Sequence, residues 1–225
     1  MEEKIILQAD HVAKTFFSNK GDTDAIEDIT IDVRENEFLV LLGPGQCGKT
    51  TFLNIVAGLV KPTSGTIRLD GKEITGTDRR IAMVFQKTGL YEWKTAMENA
   101  ELGLKYRKVP KAKRREIAQK YLDLVGLHGF ENAYPHALSG GMKQRVGIAR
   151  AYTNNPQILL MDEPFGQLDA QTRYAMEEEI LRIWEQERRT ILFVTNNIEE
   201  AVTLGDRVIQ FTERPARVKR VYAQE

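Results

Sequence analysis

Apolar runs, glycine-rich turns and segments of helical period alternate along this chain. Glu37-Phe38-Leu39-Val40-Leu41-Leu42 and Ile158-Leu159-Leu160-Met161 have strand composition, and Thr190 to Thr195 reads as a buried strand. Further strands are predicted at Ile5 to Asp10, Ile29 to Val33 and Ile81 to Phe85, the first two joined by a polar, hairpin-like loop through Asn19-Lys20-Gly21-Asp22. After the turn Lys61-Pro62-Thr63-Ser64-Gly65, the stretch Thr66 to Lys72 alternates apolar and polar residues and ends in a tight turn. Helical period appears at Phe52 to Gly58 and across about residues 95–155, where Glu116 to Val125 and Met142 to Tyr152 are the clearest pieces. From Ala170 to Glu187, the residues Met176, Ile180, Ile183 and Trp184 share one face, which predicts a core stripe. A helix from Ile198 and strands near Arg207 to Phe211 and Ala216 to Tyr222 close the chain.

This order predicts an α/β fold in which small antiparallel strands accompany a core of strands and helices, with an α-helical subdomain inserted. Residues 1–94 and 156–225 are expected to form the core with its β subdomain, and about 95–155 the helical insert. At 225 residues, 42% hydrophobic and 28% charged, the chain can bury one sizeable core. Thirty-two Lys and Arg against thirty-two Asp and Glu leave no overall electrostatic footprint for nucleic acid or anionic lipid. Lys105 to Arg115 does hold seven basic residues in eleven, which reads as a solvated loop and helix face. The single cysteine, Cys47, excludes an internal disulfide framework and fits a reducing cytosol. No apolar run approaches the ~20 residues a bilayer span requires, and Met1-Glu2-Glu3-Lys4 lacks the basic start of a signal peptide.

Chemistry enters at Gly43-Pro44-Gly45-Gln46-Cys47-Gly48-Lys49-Thr50, set between a strand and a helix. In GxxxxGK[ST] the loop amides and positive helix end surround a polyphosphate, the lysine reaches the β/γ-phosphates and the hydroxyl holds Mg²⁺. A bare glycine turn with an incidental lysine would lack that strand and helix. Asp162-Glu163 follows Met161 at a strand tip, where open α/β sheets place their ligands. Paired with the glycine loop, these carboxylates complete a P-loop ATPase set: Asp162 for Mg²⁺, and Glu163 to orient or deprotonate the attacking water. Alone, they would read as acids capping the next helix. Leu138-Ser139-Gly140-Gly141 opens a second helix, hence a second anion-binding terminus. A head-to-tail homodimer resolves the excess, with each ATP held between the loop of one copy and the Ser139 turn of the other. Phe16 and Phe17 at a strand end suit core packing, or a ring stacked on a base.

LSGGMKQR, ILLMDEP and FGQLDA together resemble the nucleotide-binding subunits of ABC transporters, over essentially the whole chain. The resemblance implies a P-loop NTPase core with an antiparallel β subdomain and a helical subdomain. It implies ATP and Mg²⁺ as cofactors, and hydrolysis to ADP and phosphate. Gly43 to Thr50, with Thr51 after it, is then the Walker A loop, Gln86 a catalytic and metal-contacting glutamine, and Asp162 and Glu163 the Walker B pair. Ser139, Gly140 and Gly141 form the signature that closes on the γ-phosphate across the dimer, Asp169 belongs to the D-loop, and Phe16 stacks on adenine. The loop after Gln86, with Tyr91 and Trp93, is similar to the groove that receives an integral membrane permease. An extracytoplasmic solute-binding protein would complete the system, at the cytoplasmic face of the cell membrane, with no nucleic acid partner. The Trp93 region, Pro135 to Met142, Asp162 to Gly166 and Glu213 to Arg217 resemble the importers of nitrate, sulfonates and taurine.

Three positions depart from that pattern. GPGQCGKTT stands where GPSGCGKST is usual, so Gln46 brings a side chain where the family has none. Thr195-Asn196-Asn197 stands where Thr-His-Asp is usual, the histidine contacting the γ-phosphate; Asn196 can still donate an amide hydrogen bond but cannot take up a proton or a positive charge. Gln167 replaces a common alanine. The expected activity is ATP hydrolysis coupled to uptake of a small solute. The alternative, motivated by Asn196, is a slow or inactive ATP-binding dimerisation module.

Overall fold

A computed structural model describes residues 4–19 and 21–223; residues 1–3, Lys20 and residues 224–225 lie outside it, and with them most of the Met1-Glu2-Glu3-Lys4 start and one residue of the predicted hairpin loop. In chain order the elements are β1 (Ile5–Phe16), β2 (Thr23–Arg34), β3 (Phe38–Leu42), α1 (Lys49–Val56), β4 (Ser64–Leu69), β5 (Lys72–Glu73) and β6 (Ile81–Val84). They continue with α2 (Ala96–Ala100), α3 (Leu102–Tyr106), α4 (Lys111–Leu124), a 3-10 turn at Pro135–Ala137, α5 (Gly140–Tyr152), β7 (Ile158–Asp162) and α6 (Ala170–Glu187). The chain closes with β8 (Thr190–Thr195), α7 (Ile198–Leu204), β9 (Arg207–Phe211) and β10 (Ala216–Ala223).

Two compact units result, residues 1–81 with 189–225, and residues 82–188. Residues 82–94 and 156–188, expected with the core, thus fall in the same unit as the helical segment. The first unit carries the strand order β5-β4-β1-β2-β10-β9-β3-β8. β3 pairs in parallel with β8 and with β9; β3 is apolar throughout and β8 is apolar between Thr190 and Thr195, as strands covered on both faces require. Phe38 meets Phe193 across this pair at 5.9 Å, and Phe52 of α1 meets Phe211 edge-on at 6.1 Å. β1 and β2 pair antiparallel with one wet face: Ile29, Ile31 and Val33 are buried, while Asp28, Thr30 and Asp32 are exposed.

In the second unit α5 is buried along most of its length, and its Tyr152 stacks on Tyr121 of α4 at 5.7 Å. Met176, Ile180, Ile183 and Trp184 of α6 are all buried, as their spacing predicts. The basic stretch is partly answered: Arg114 and Arg115 pair with Glu101 at 3.1 and 4.0 Å, and Lys113 with Glu116 at 3.0 Å.

Candidate functional site

β3 ends with Leu42 opposite Thr195 of its parallel neighbour β8, so residues 43–48 and Thr195-Asn196-Asn197 leave the sheet from adjacent strand ends. The Gly43 amide donates to the Thr195 carbonyl at 3.3 Å. Lys49 is 3% exposed and turns back over the loop, donating to the carbonyls of Gly43 and Pro44 at 2.8 Å each. Cys47 is buried beneath it, with Sγ 4.0 Å from Nζ. α1 starts with no side-chain cap and no acidic residue in its first turn, so nothing in its own sequence answers the positive helix end. Gly48 adopts φ 124, and a Cβ there would stand 2.6 Å from the Ala25 carbonyl oxygen, which presses the loop onto β2. A lysine held on backbone carbonyls, an acid-free helix start and a backbone free of side chains at Gly48 fit a polyphosphate. Pro44, Gly45, Gln46 and Thr50 are exposed, and Thr51 is half-buried.

The glycine shift in this loop acquires a cost here. Gln46 takes φ 62, in the left-handed region, whereas Gly45 keeps an ordinary φ with no atom near its missing Cβ. Glycine therefore stands one position before the residue whose backbone calls for it. Gln46→Gly is expected to relieve about 1–2 kcal/mol of strain against about 0.4–1 kcal/mol of added chain entropy in the unfolded state. The net expected gain is roughly 0.5 kcal/mol, read as a small rise in the urea midpoint.

Phe16 lies opposite Thr23 at the end of the β1–β2 ribbon, two residues along β2 from the Ala25 that receives Gly48. It is 43% exposed with Lys14 Nζ 5.0 Å above its ring, and Phe17 is 73% exposed. Core packing is excluded for both rings. Asn196 is exposed and makes no side-chain hydrogen bond among the described residues. Its neighbours are fixed: the Thr195 hydroxyl donates to Glu200 at 2.5 Å, and Asn197 caps α7 by accepting from the Glu199 amide at 2.8 Å.

In the second unit, β7 is wholly buried and ends at Asp162, 8% exposed. Glu163 follows in the left-handed region at φ 42, its carbonyl accepting from the Gly166 amide at 3.1 Å. The left-handed backbone ends the strand there, and the Glu163 side chain is half-buried. Gln86 is exposed beyond β6, and its Nε2 lies 3.4 Å from where a Gly166 Cβ would stand. Ser139 caps α5, its hydroxyl accepting from the Met142 amide at 3.2 Å, and a Cβ on Gly141 would meet Thr172 Cγ2 at 2.8 Å. Asp169 caps α6, accepting from the Thr172 amide at 3.0 Å and hydroxyl at 2.7 Å; the amide bond and then the hydroxyl hold its carboxyl below the usual range. A cavity of about 270 Å³ is lined by Gln86, Gly140, Gln144, Gln167 and Leu168, so three of the sequence motifs share one hollow. A second, about 320 Å³, is lined by Ser139, Gly141, Arg145 and Thr172.

Tyr91 and Trp93 meet edge-on at 5.1 Å, and Trp93 is 71% exposed. Their loop is held by Asn99, 0% exposed, a residue not anticipated from sequence. Its Oδ1 accepts from the Tyr91 amide at 2.8 Å, and its Nδ2 donates to the Tyr91, Lys94 and Thr95 carbonyls at 3.2, 3.1 and 3.0 Å. An asparagine just inside a helix opened by the capping box Thr95–Glu98 is the only signal that could have marked it.

Residues 26–166 match the family model described as ABC transporter. The chain belongs to the ABC transporter family. It is 49% identical over 97% of its length to an uncharacterized ABC transporter ATP-binding protein of Methanocaldococcus jannaschii, 82% of which is covered. It is 45% identical over 95% of its length to a taurine import ATP-binding protein of Rhizobium johnstonii, again with 82% covered. A dimeric bacterial ABC transporter cassette superposes with a TM-score of 0.86 at 33% identity, over 98% of this chain and 99% of that one. A dimeric post-hydrolysis state of the same cassette, bound to ADP and Pi, gives 0.84 at 32% identity, over 98% and 99%. As an ABC ATPase, the chain binds ATP and hydrolyses it, on the expected P-loop fold. No helix among the described residues is long and apolar enough to cross a membrane.

Proposed function

We propose that this ABC ATPase drives an importer for a small sulfonate-like solute of the taurine class, working as a homodimer at the cytoplasmic face of the membrane. The observation that carries the solute class is the similarity, at 42–45% identity over more than nine-tenths of the chain, to proteins named for taurine import. The exposed Tyr91–Trp93 pair, held in place by buried Asn99, supports permease docking. An extracytoplasmic binding protein would deliver the solute to that permease. Ser139, Gly140 and Asp169 are exposed, as residues that complete a partner's site must be.

In this reading the first unit holds the nucleotide. Phe16 stacks on the adenine, and the amides of Gly45 to Thr51 with Lys49 Nζ take the phosphates in exchange for the lysine's carbonyl contacts. By the family's motifs, Thr50 in the first unit and Gln86 and Asp162 in the second each carry an oxygen of the kind that would hold Mg²⁺, which when bound would neutralise charge on the phosphate oxygens. Glu163 accepts a proton from the water whose oxygen attacks the γ-phosphorus, as the bond to the ADP oxygen breaks. Asn196 donates to a γ-phosphate oxygen.

Deleting the gene in its own organism and measuring uptake of labelled taurine, an alkanesulfonate and nitrate tests the proposal. Loss of taurine or alkanesulfonate uptake is expected; unchanged uptake of all three would overturn it. The pH profile of turnover separately tests Asn196. Between pH 6 and 8 wild-type turnover is expected to show no step near ~6.5, while Asn196→His should add one as its imidazole loses its proton. Negligible wild-type turnover that Asn196→His restores would favour the slow binding module instead.

A further inference from the structure

Arg150, in the last turn of α5, makes contacts that no motif accounts for. Its Nη1 donates to the Gly89 carbonyl at 2.9 Å and its Nη2 to the Thr88 carbonyl at 2.5 Å. No carboxylate lies within ion-pair distance of it among the described residues, and burial pushes its pKa down. A half-buried cation without a counter-ion gives up hydration for no ion pair, and an arginine turned to solvent would serve the same helix end as well. Helix stability therefore does not explain where this guanidinium points. What it grips is the loop that runs from Gln86 to Tyr91 and Trp93.

We infer that Arg150 is a positioning residue, a strap that makes the loop after Gln86 follow the helix opened by Ser139-Gly140-Gly141. α5 runs unbroken for thirteen residues, about 20 Å at 1.5 Å per residue. The signature sits at one end and the strap at the other, so displacement of the first end carries the second. Two successive carbonyls are held by one planar fork, which resists both translation and twist of the Thr88–Gly89 peptide; a lysine ammonium offers one point charge and no fixed plane. Beyond Gly89, Asn99 fixes the Tyr91 to Thr95 backbone onto α2, and Thr153 of the same segment as Arg150 donates to the Ala100 carbonyl at 2.8 Å. The docking aromatics are thereby tied to α5 from two sides. The inference rests on the proposed roles of Ser139 to Gly141 in nucleotide closure and of Tyr91 and Trp93 in docking.

The test is hydrogen exchange on the purified full chain in a Glu163→Gln background, with and without ATP. With Arg150 present, ATP should slow exchange of the amides at 88–93 by about tenfold, along with those at 140–143. In Arg150→Lys and Arg150→Met the response at 88–93 should fall below about twofold while that at 140–143 stays. The lysine variant retains charge and stem, and carries the test if the methionine variant fails to fold. The inference is overturned if the loop responds in the variants as it does with Arg150, if it never responds, or if both responses vanish together, which would make Arg150 a prop for the helix itself. No permease is needed, so failure here leaves the uptake result standing, and failed uptake leaves this one standing.

Discussion

Replacing Glu163 with glutamine is expected to lower ATP turnover by about 10²–10³-fold, the usual worth of a positioned general base, without weakening ATP binding. Glutamine matches the carboxylate in shape and still orients a water, but it cannot take the proton. The backbone at this position is left-handed, φ 42, and glutamine bears that strain as glutamate does. Melting temperature should therefore stay put, which separates the effect from misfolding. If Ser139 to Gly141 of a second copy complete the site, the variant should also accumulate as a dimer in ATP, seen by light scattering. Phosphate release within about threefold of wild type would remove Glu163 from the role of base.

The left-handed turn at Glu163 also shows what the sequence could not disclose. The buried strand Thr190–Thr195 and the longest helix, Ala170–Glu187, match their predicted bounds because apolar runs and a 3.6-residue period are local signals, whereas α4 begins at Lys111, ahead of the predicted Glu116, in the basic stretch that carries no apolar period. β1 and β2 proved longer than their apolar segments, extending to Phe16 and from Thr23, because the ribbon continues through polar residues such as Thr15 and Asp24, whose side chains bond at 2.7 Å. Cross-strand partners of this kind have no signature in either strand alone. Nor do the positive φ values of Glu163 and Gln46, since neither is a glycine. The nucleotide motifs were readable because their glycines, lysine and carboxylates stand at fixed offsets from strand ends. Asn99 and Arg150 escaped because their partners are backbone carbonyls, which every residue owns. Phe16 was ambiguous for another reason: an aromatic ring at a strand end is compatible with core and surface alike, and only the register at Thr23 puts it outside.

Gly48→Ala should produce the largest loss of stability in the phosphate loop, and Gly45→Ala nearly none. At Gly48 two penalties act together. The φ of 124 is foreign to any residue with a Cβ, and the added carbon would lie 2.6 Å from the Ala25 carbonyl oxygen and 3.0 Å from Ala216 Cβ. Neither neighbour yields easily, since Ala25 lies on β2 and Ala216 on β10, which pairs with β2 through Ala216 and Ile26. Backbone strain of this kind costs roughly 1–3 kcal/mol, and overpacking against backbone adds about 1–3 kcal/mol. For a chain of this size, about 3 kcal/mol corresponds to a fall in Tm of roughly 6–12 °C. At Gly45 nothing lies within 4 Å of the position a Cβ would take and the φ is ordinary, so alanine should change stability by no more than about 0.5 kcal/mol. The pair separates two uses of glycine in one loop. If both variants melt together, close approach of the loop to β2 is not what fixes its shape. If only Gly48→Ala falls, and ATP binding falls with it, the backbone that meets the phosphates is shaped by its seat on the Ala25 carbonyl.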